Sequence, residues 1–146
     1  MSLADMEQAG ALVRGTATPQ QLKAHLAGAR HSLVDASNPA MSPDSALTIG
    51  WLAIARLAQC ALLDAGYRVA GSADRHTAAI DSLEFTLGYA KDKRDALHAL
   101  KDKRNAVDYE LAAAGNADVA ACLSAAHGLL SDVVAHLQQR HPQLRA

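Results

Sequence analysis

Ser42-Pro43-Asp44-Ser45-Ala46-Leu47 opens the stretch SPDSALTIGWLAIARLAQCALLDAG, residues 42–66, and its reading decides the fold. Serine before proline and an acid is a helix start: the hydroxyl can accept from a free N–H and proline suits the first turn. Nothing breaks the pattern before Gly66, so one helix of about 24 residues, roughly 36 Å at 1.5 Å per residue, is expected. Leu47, Ile49, Trp51, Leu52, Ile54, Leu57, Leu62 and Leu63 cannot share one stripe. A helix apolar on every side is covered on several sides, so it is either the centre of a bundle or also meets a partner chain.

Outward from this core helix, Thr18-Pro19 repeats the start signal, and Leu22, Leu26, Ala29 and Leu33 give a helix ending near 35–38. Beyond Gly66, residues 67–73 read as a loop, and Asp74 as the cap of a helix to about Leu87, stopped by Gly88. A fourth helix is expected over 91–111. Gly115 then terminates and Asn116 caps the last helix, 117–140, whose Val119, Leu123, Ala126, Leu130, Val133 and Leu137 alternate at spacings of four and three. Residues 1–15 form a short extra helix or a loose tail. The expectation is an all-α antiparallel up-and-down bundle of about five helices, one domain over 1–146, without a β-sheet.

Composition agrees. The chain has 146 residues, 50% hydrophobic and only 3% aromatic, with 14 basic against 15 acidic side chains. Such an inventory favours close-packed helices over sheets. A net charge of −1 excludes a surface coated in positive charge, so any nucleic-acid contact must be local. The start is acidic and lacks the pattern of a secretory signal, and uninterrupted apolar runs are short, so a cytoplasmic protein away from membranes is expected. Cys60 and Cys122 read as buried small hydrophobes, and no spacing suggests a metal or other cofactor. Glycine-rich phosphate loops and Gly-x-Ser-x-Gly are absent.

One segment carries chemistry. Lys91-Asp92-Lys93-Arg94 recurs as Lys101-Asp102-Lys103-Arg104, placing six of the 14 basic residues within 91–104 against three carboxylates. Ten residues of helix turn the two tetrads about 80° apart, so they cannot play the same part. The bland reading is a solvated face laced with ion pairs; the sharper one is a phosphate-attracting patch. Arg104 sits within the apolar stripe Leu97, Leu100, Val107, Leu111. A guanidinium there must pair, as with Asp108 one turn on, line a wet cleft, or face another subunit. His98, Asp102, Asn105 and Tyr109 fall on the adjoining polar face.

Arg104-Asn105-Ala106-Val107-Asp108-Tyr109 resembles the signature of the HEPN domains: arginine, a polar residue, then histidine four to six residues on. The long apolar early helix, Gly66-Tyr67-Arg68, His76 and the long final helix are similar too. The resemblance implies a homodimeric helical bundle acting on or binding RNA or a nucleotide. It further implies a metal-independent endoribonuclease of a toxin-antitoxin or defence system, in some members partnered by a nucleotidyltransferase-type antitoxin. Arg104 would then hold the scissile phosphate and Tyr109 occupy the catalytic position, with Asn105, His98, Lys101 and His76 near the substrate. Tyr109 stands where histidine is expected, and a phenol with a pKa near 10 is a poor base at neutral pH. The alternatives are a catalytically degenerate binding or regulatory module of the same fold, or a structural bundle with no ligand site.

Overall fold

In a computed structural model, described for residues 1–71, 75–109 and 112–145, the chain is a helical bundle. Its elements are α1 (Leu3–Gln8), β1 (Leu12–Arg14), α2 (Pro19–Ala36), α3 (Pro43–Asp64), β2 (Tyr67–Val69), α4 (Arg75–Asp81), α5 (Leu83–Thr86), α6 (Lys91–Tyr109) and α7 (Asn116–Arg140), followed by a 3₁₀ turn, Pro142–Arg145. The start signals act as read. Thr18 accepts from Gln21 N while the Gln21 side chain accepts from Thr18 N, and Ser42 accepts from Ser45 N. Each satisfies N–H groups that the first helical turn leaves free.

α3 is the centre. Leu47, Trp51, Ile54, Leu57 and Leu62 are fully buried, and α2, α7, α4 and α6 all pack on it. Its all-round apolarity is therefore satisfied mostly within one chain, with Leu52 left 46% exposed. By length and composition alone, α3 and α7 are each apolar enough to cross a bilayer, with mean hydropathies of 1.6 and 1.3. In α3, 67% of that apolar window is covered by the rest of the protein. At the far end of α3, the Asp64 side chain, 4% exposed, meets Arg140 Nε and His141 Nε2 at 2.5 Å each and His136 Nε2 at 3.8 Å. That cluster ties the end of α3 to the end of α7.

Three details differ from the sequence reading. The first is a two-stranded antiparallel ribbon where no sheet is expected, pairing Leu12 with Val69, Val13 with Arg68 and Arg14 with Tyr67. Gly66, at φ +93°, reverses the chain after α3, a left-handed turn that glycine makes without strain. Residues 67–69 thus lie beside the N-terminal segment instead of looping freely, and Leu12 and Tyr67, one from each strand, are buried. The second is a break in the helix expected to reach Leu87: it divides at Ser82, whose buried hydroxyl bonds back to Ala79 O at 2.6 Å. Asp74, its expected cap, and residues 110–111, the expected end of the fourth helix, lie outside the described residues. The third is the cap of α7, which is Gly115 rather than Asn116: the Asp118 carboxylate accepts from Gly115 N at 2.8 Å.

Both cysteines are buried thiols. Cys60 lies 3.8 Å from Leu22 O and Cys122 4.0 Å from Leu47 O. Burial, helped by nearby Asp64, pushes Cys60 up to about 12, and burial pushes Cys122 up to about 11. Neither forms appreciable thiolate near neutrality.

Candidate functional site

α6 lies on the surface, with Leu97 as its one buried residue, and one flank leans on α3 and α4. Between α4 and α6 is a cavity of about 300 Å³ lined by Arg75, His76, Thr77, Lys101, Arg104, Asn105 and Tyr109. Five of the six residues singled out from sequence, His76, Lys101, Arg104, Asn105 and Tyr109, thus surround one space. The sixth, His98, is elsewhere: its Nε2 lies 2.7 Å from Asp81 Oδ1, an intramolecular contact between α6 and α4. Asp102, on the same polar face, is 75% exposed and is not among the residues that line this cavity. Helical projection alone grouped His98 with Asn105 and Tyr109; the packing of α4 separates them.

The two basic tetrads divide as their 80° offset requires. In the first, Lys91 meets Asp95 at 2.7 Å, Lys93 lies 4.6 Å over the Tyr89 ring, and Arg94 meets Glu84 at 3.6 Å. In the second, Lys103 turns to Asp118, while Lys101 and Arg104 turn to the cavity, each 17% exposed. Lys101 Nζ donates to Thr77 Oγ1 at 2.7 Å, which fixes the ammonium at the wall.

Arg104 combines two of the outcomes open at the sequence level. Its Nε is 2.9 Å from Asp108 Oδ2, an ion pair one helical turn on, yet Nε is buried and makes no aligned hydrogen bond. The pair therefore acts through charge at Nε and does not enclose the guanidinium, which lines the cavity. Asp108 in turn accepts from Thr48 Oγ1 at 3.4 Å, anchoring it to α3. Tyr109, 76% exposed, stands at the rim.

Arg75, Thr77 and Trp51 were not foreseen. Arg75 and Thr77 are contributed by α4, and only the docking of that short helix beside α6 brings them to Arg104. Trp51, wholly buried in α3, points Nε1 at His76 Nδ1 at 3.4 Å, the rings meeting edge to face at 5.9 Å. An Nδ1 that accepts leaves the proton of the neutral imidazole on Nε2. Burial first, then the positive charges of Arg75, Arg104 and Lys101, push His76 below its ordinary 6.5. His76 thus favours its neutral form at pH 7, in a cavity whose described lining carries three cations and no carboxylate.

A titration checks this geometry. Below pH 6.5 the unfolded chain protonates at this histidine while the folded one resists, so its stabilising contribution is present above 6.5 and declines as pH falls toward the folded value. The ring resonances of His76 are expected to titrate with a midpoint below 6.5, and to move upward when inorganic phosphate is added, because a bound anion offsets the three cations. A midpoint at or above 6.5 in the free protein contradicts the arrangement.

A larger cavity, about 480 Å³ between α5 and α7, has much of its polar lining already engaged: Tyr89 donates to Asp132 at 2.5 Å and Lys93 covers the Tyr89 ring. Among the described residues, no three His, Cys, Asp or Glu side chains are grouped to hold a metal ion. What the α4–α6 cavity can do chemically is accept an anion: guanidinium and ammonium groups for phosphate oxygens, an amide and a phenol for sugar or base edges. No protein-family model, curated protein or solved structure matches the chain, so the motif around Arg104 and the geometry of this cavity carry its functional reading.

Proposed function

We propose that the chain binds RNA or a nucleotide phosphate in the α4–α6 cavity, as a HEPN-like protein of the cytoplasm. The observation that carries the proposal is the convergence of Arg75, Lys101 and Arg104 on one small polar space with no carboxylate among its described lining residues. Three cations facing each other repel; Asp108 at 2.9 Å from Arg104, Asp102 at 3.9 Å from Lys101 and residual hydration offset this in part, and a phosphate relieves the rest and matches the guanidinium geometry. Arg104 and Lys101 hold the phosphate, the neutral His76 offers a further N–H donor, and Asn105 and Tyr109 meet the sugar or base.

Metal-independent cleavage is the second reading, and the observation favouring it is His76. An imidazole stands beside Arg104 although Tyr109 occupies the motif's histidine position. To take the proton of a 2′-hydroxyl the ring must first exchange its bond to Trp51, because the neutral tautomer holding that bond carries its proton on Nε2. The homodimer and the nucleotidyltransferase-type partner belong to the proposal through the family resemblance alone. The all-round apolarity of α3 and the charge of Arg104 are both accounted for within one chain.

Binding of a short single-stranded RNA, followed by fluorescence anisotropy in chelator with the products separated from the same tube, tests the proposal. Arg104→Ala is expected to weaken binding by about tenfold or more and to reduce the salt slope by about one. Its melting temperature is expected to change little, since Asp108 keeps its bond to Thr48. If the variant binds RNA as the parent does, or loses several kcal/mol of stability with binding intact, Arg104 is a structural ion-pair residue and the proposal falls.

A further inference from the structure

A second cavity, of about 470 Å³, adjoins the first and shares Arg75 and His76 with it. Its other walls come from α2 and α3: His25 and Ser32 on one side, Leu52, Arg56 and Gln59 on the other, with Val69 of the ribbon at the edge. Among the described residues, no carboxylate lines it either. Leu52 is 46% exposed, one of the few large apolar side chains left open on the described surface. Arg56 has no carboxylate within ion-pair distance among the described residues, whereas Arg94, Lys91 and Lys103 each do.

The position of Arg56 is prepared by sequence. A Cβ placed at Gly28 would stand 1.8 Å from Arg56 Nη1, so the guanidinium lies directly against the α2 backbone, in space that any side chain at position 28 would take from it. His25, Gly28 and Ser32 follow at helical spacing on the face of α2 that looks into this space. The two cavities adjoin at Arg75 and His76: Lys101 and Arg104 lie on the α6 side, and on the α2 side Arg56 stands beside an apolar patch and uncharged polar groups.

We infer that the two cavities act as one trench, a two-subsite site for single-stranded RNA. The phosphate at Arg104 and Lys101 is followed by a neighbouring nucleotide whose base rests on Leu52 and Val69, with Ser32 and Gln59 at its edge. The next phosphate meets Arg56. Arg75 and His76 stand at the junction between the two nucleotides. The ligand is then an oligonucleotide of at least two residues rather than a free mononucleotide. This inference rests on the reading of the α4–α6 cavity as a phosphate site and adds the minimum length of its substrate.

The test compares uridine 3′-monophosphate with the dinucleotide UpUp, both 2′-O-methylated so that cleavage cannot intervene, by calorimetry at one salt concentration. The parent protein is expected to bind the dinucleotide at least tenfold more tightly. Arg56→Ala is expected to abolish that gain while leaving mononucleotide affinity unchanged, and Arg104→Ala to weaken both ligands. Gly28→Ala, which keeps the arginine but displaces its guanidinium, is expected to lose the gain as Arg56→Ala does, with the melting temperature retained. A gain that survives in either Arg56→Ala or Gly28→Ala, or equal affinity of the parent for both ligands, overturns the second subsite alone. Binding of neither ligand by the parent overturns the phosphate site and this inference together.

Discussion

Trp51→Ala is expected to lower the stability of the fold by about 3–5 kcal/mol, the usual cost of emptying a large buried aromatic site. At this chain length that is a fall in melting temperature of roughly 6–20 °C. Trp51 is 0% exposed at the middle of α3, and the residues around it belong to several different helices, so no single neighbour can move in to close the space. The substitution also removes the Nε1 donor from His76 Nδ1, so the effect reaches the cavity between α4 and α6. Trp51→Phe separates the two consequences. It retains most of the apolar volume and loses only the N–H, so a smaller loss of stability is expected together with a changed proton distribution between the His76 nitrogens. Thermal unfolding and the ¹⁵N shifts of the His76 ring measure both. A Trp51→Ala variant as stable as the parent contradicts the placement of this side chain.

The second large effect is expected at Gly50, one residue earlier on the face of α3 that crosses α7. A Cβ there would meet Cys122 Sγ at 3.0 Å and Leu123 Cδ2 at 3.6 Å, so the two central helices approach closely because this position has no side chain. Gly50→Leu is expected to cost about 1–3 kcal/mol, since the added atoms must push α7 away or force side chains off their rotamers. Gly50→Ala is the informative control. Alanine gains about 1 kcal/mol in helix propensity over glycine and adds only the tight contact to sulfur, so its net effect is expected to be small. Combining Gly50→Leu with Cys122→Ala is expected to recover part of the loss, because the two residues touch and their effects are coupled. Simple additivity in urea unfolding of the double variant argues against contact at this crossing.

The chain's own pattern determined the bundle. Start signals at Thr18-Pro19 and Ser42-Pro43, the unbroken apolar run after Ser42, and the alternating spacing in α7 are local or periodic features, and each acts through its own helix. The cap of the α4 segment lies outside the described residues. The break at Ser82 was not legible, because a serine in a helical pattern is compatible both with an unbroken helix and with a hydroxyl that bonds back to the preceding turn, and burial decides it here. The ribbon was not legible either, since pairing Leu12–Arg14 with Tyr67–Val69 joins segments more than fifty residues apart that carry no strong strand signal.

The same division holds at the candidate site. Arg104, Asn105 and Tyr109 share one helix, so their neighbourhood follows from spacing, and the separation of Lys101 and Arg104 from the first basic tetrad follows from the helical angle. His98 shares that helix too, but Asp81 on α4 removes it from the cavity. Arg75, Thr77 and the Trp51 support of His76 depend on where a seven-residue helix docks, and Arg56 on how closely α2 crosses α3 at Gly28. Periodicity specifies which face of a helix is apolar. Which polar faces meet is decided by the packing of separate helices, through contacts that no local pattern encodes.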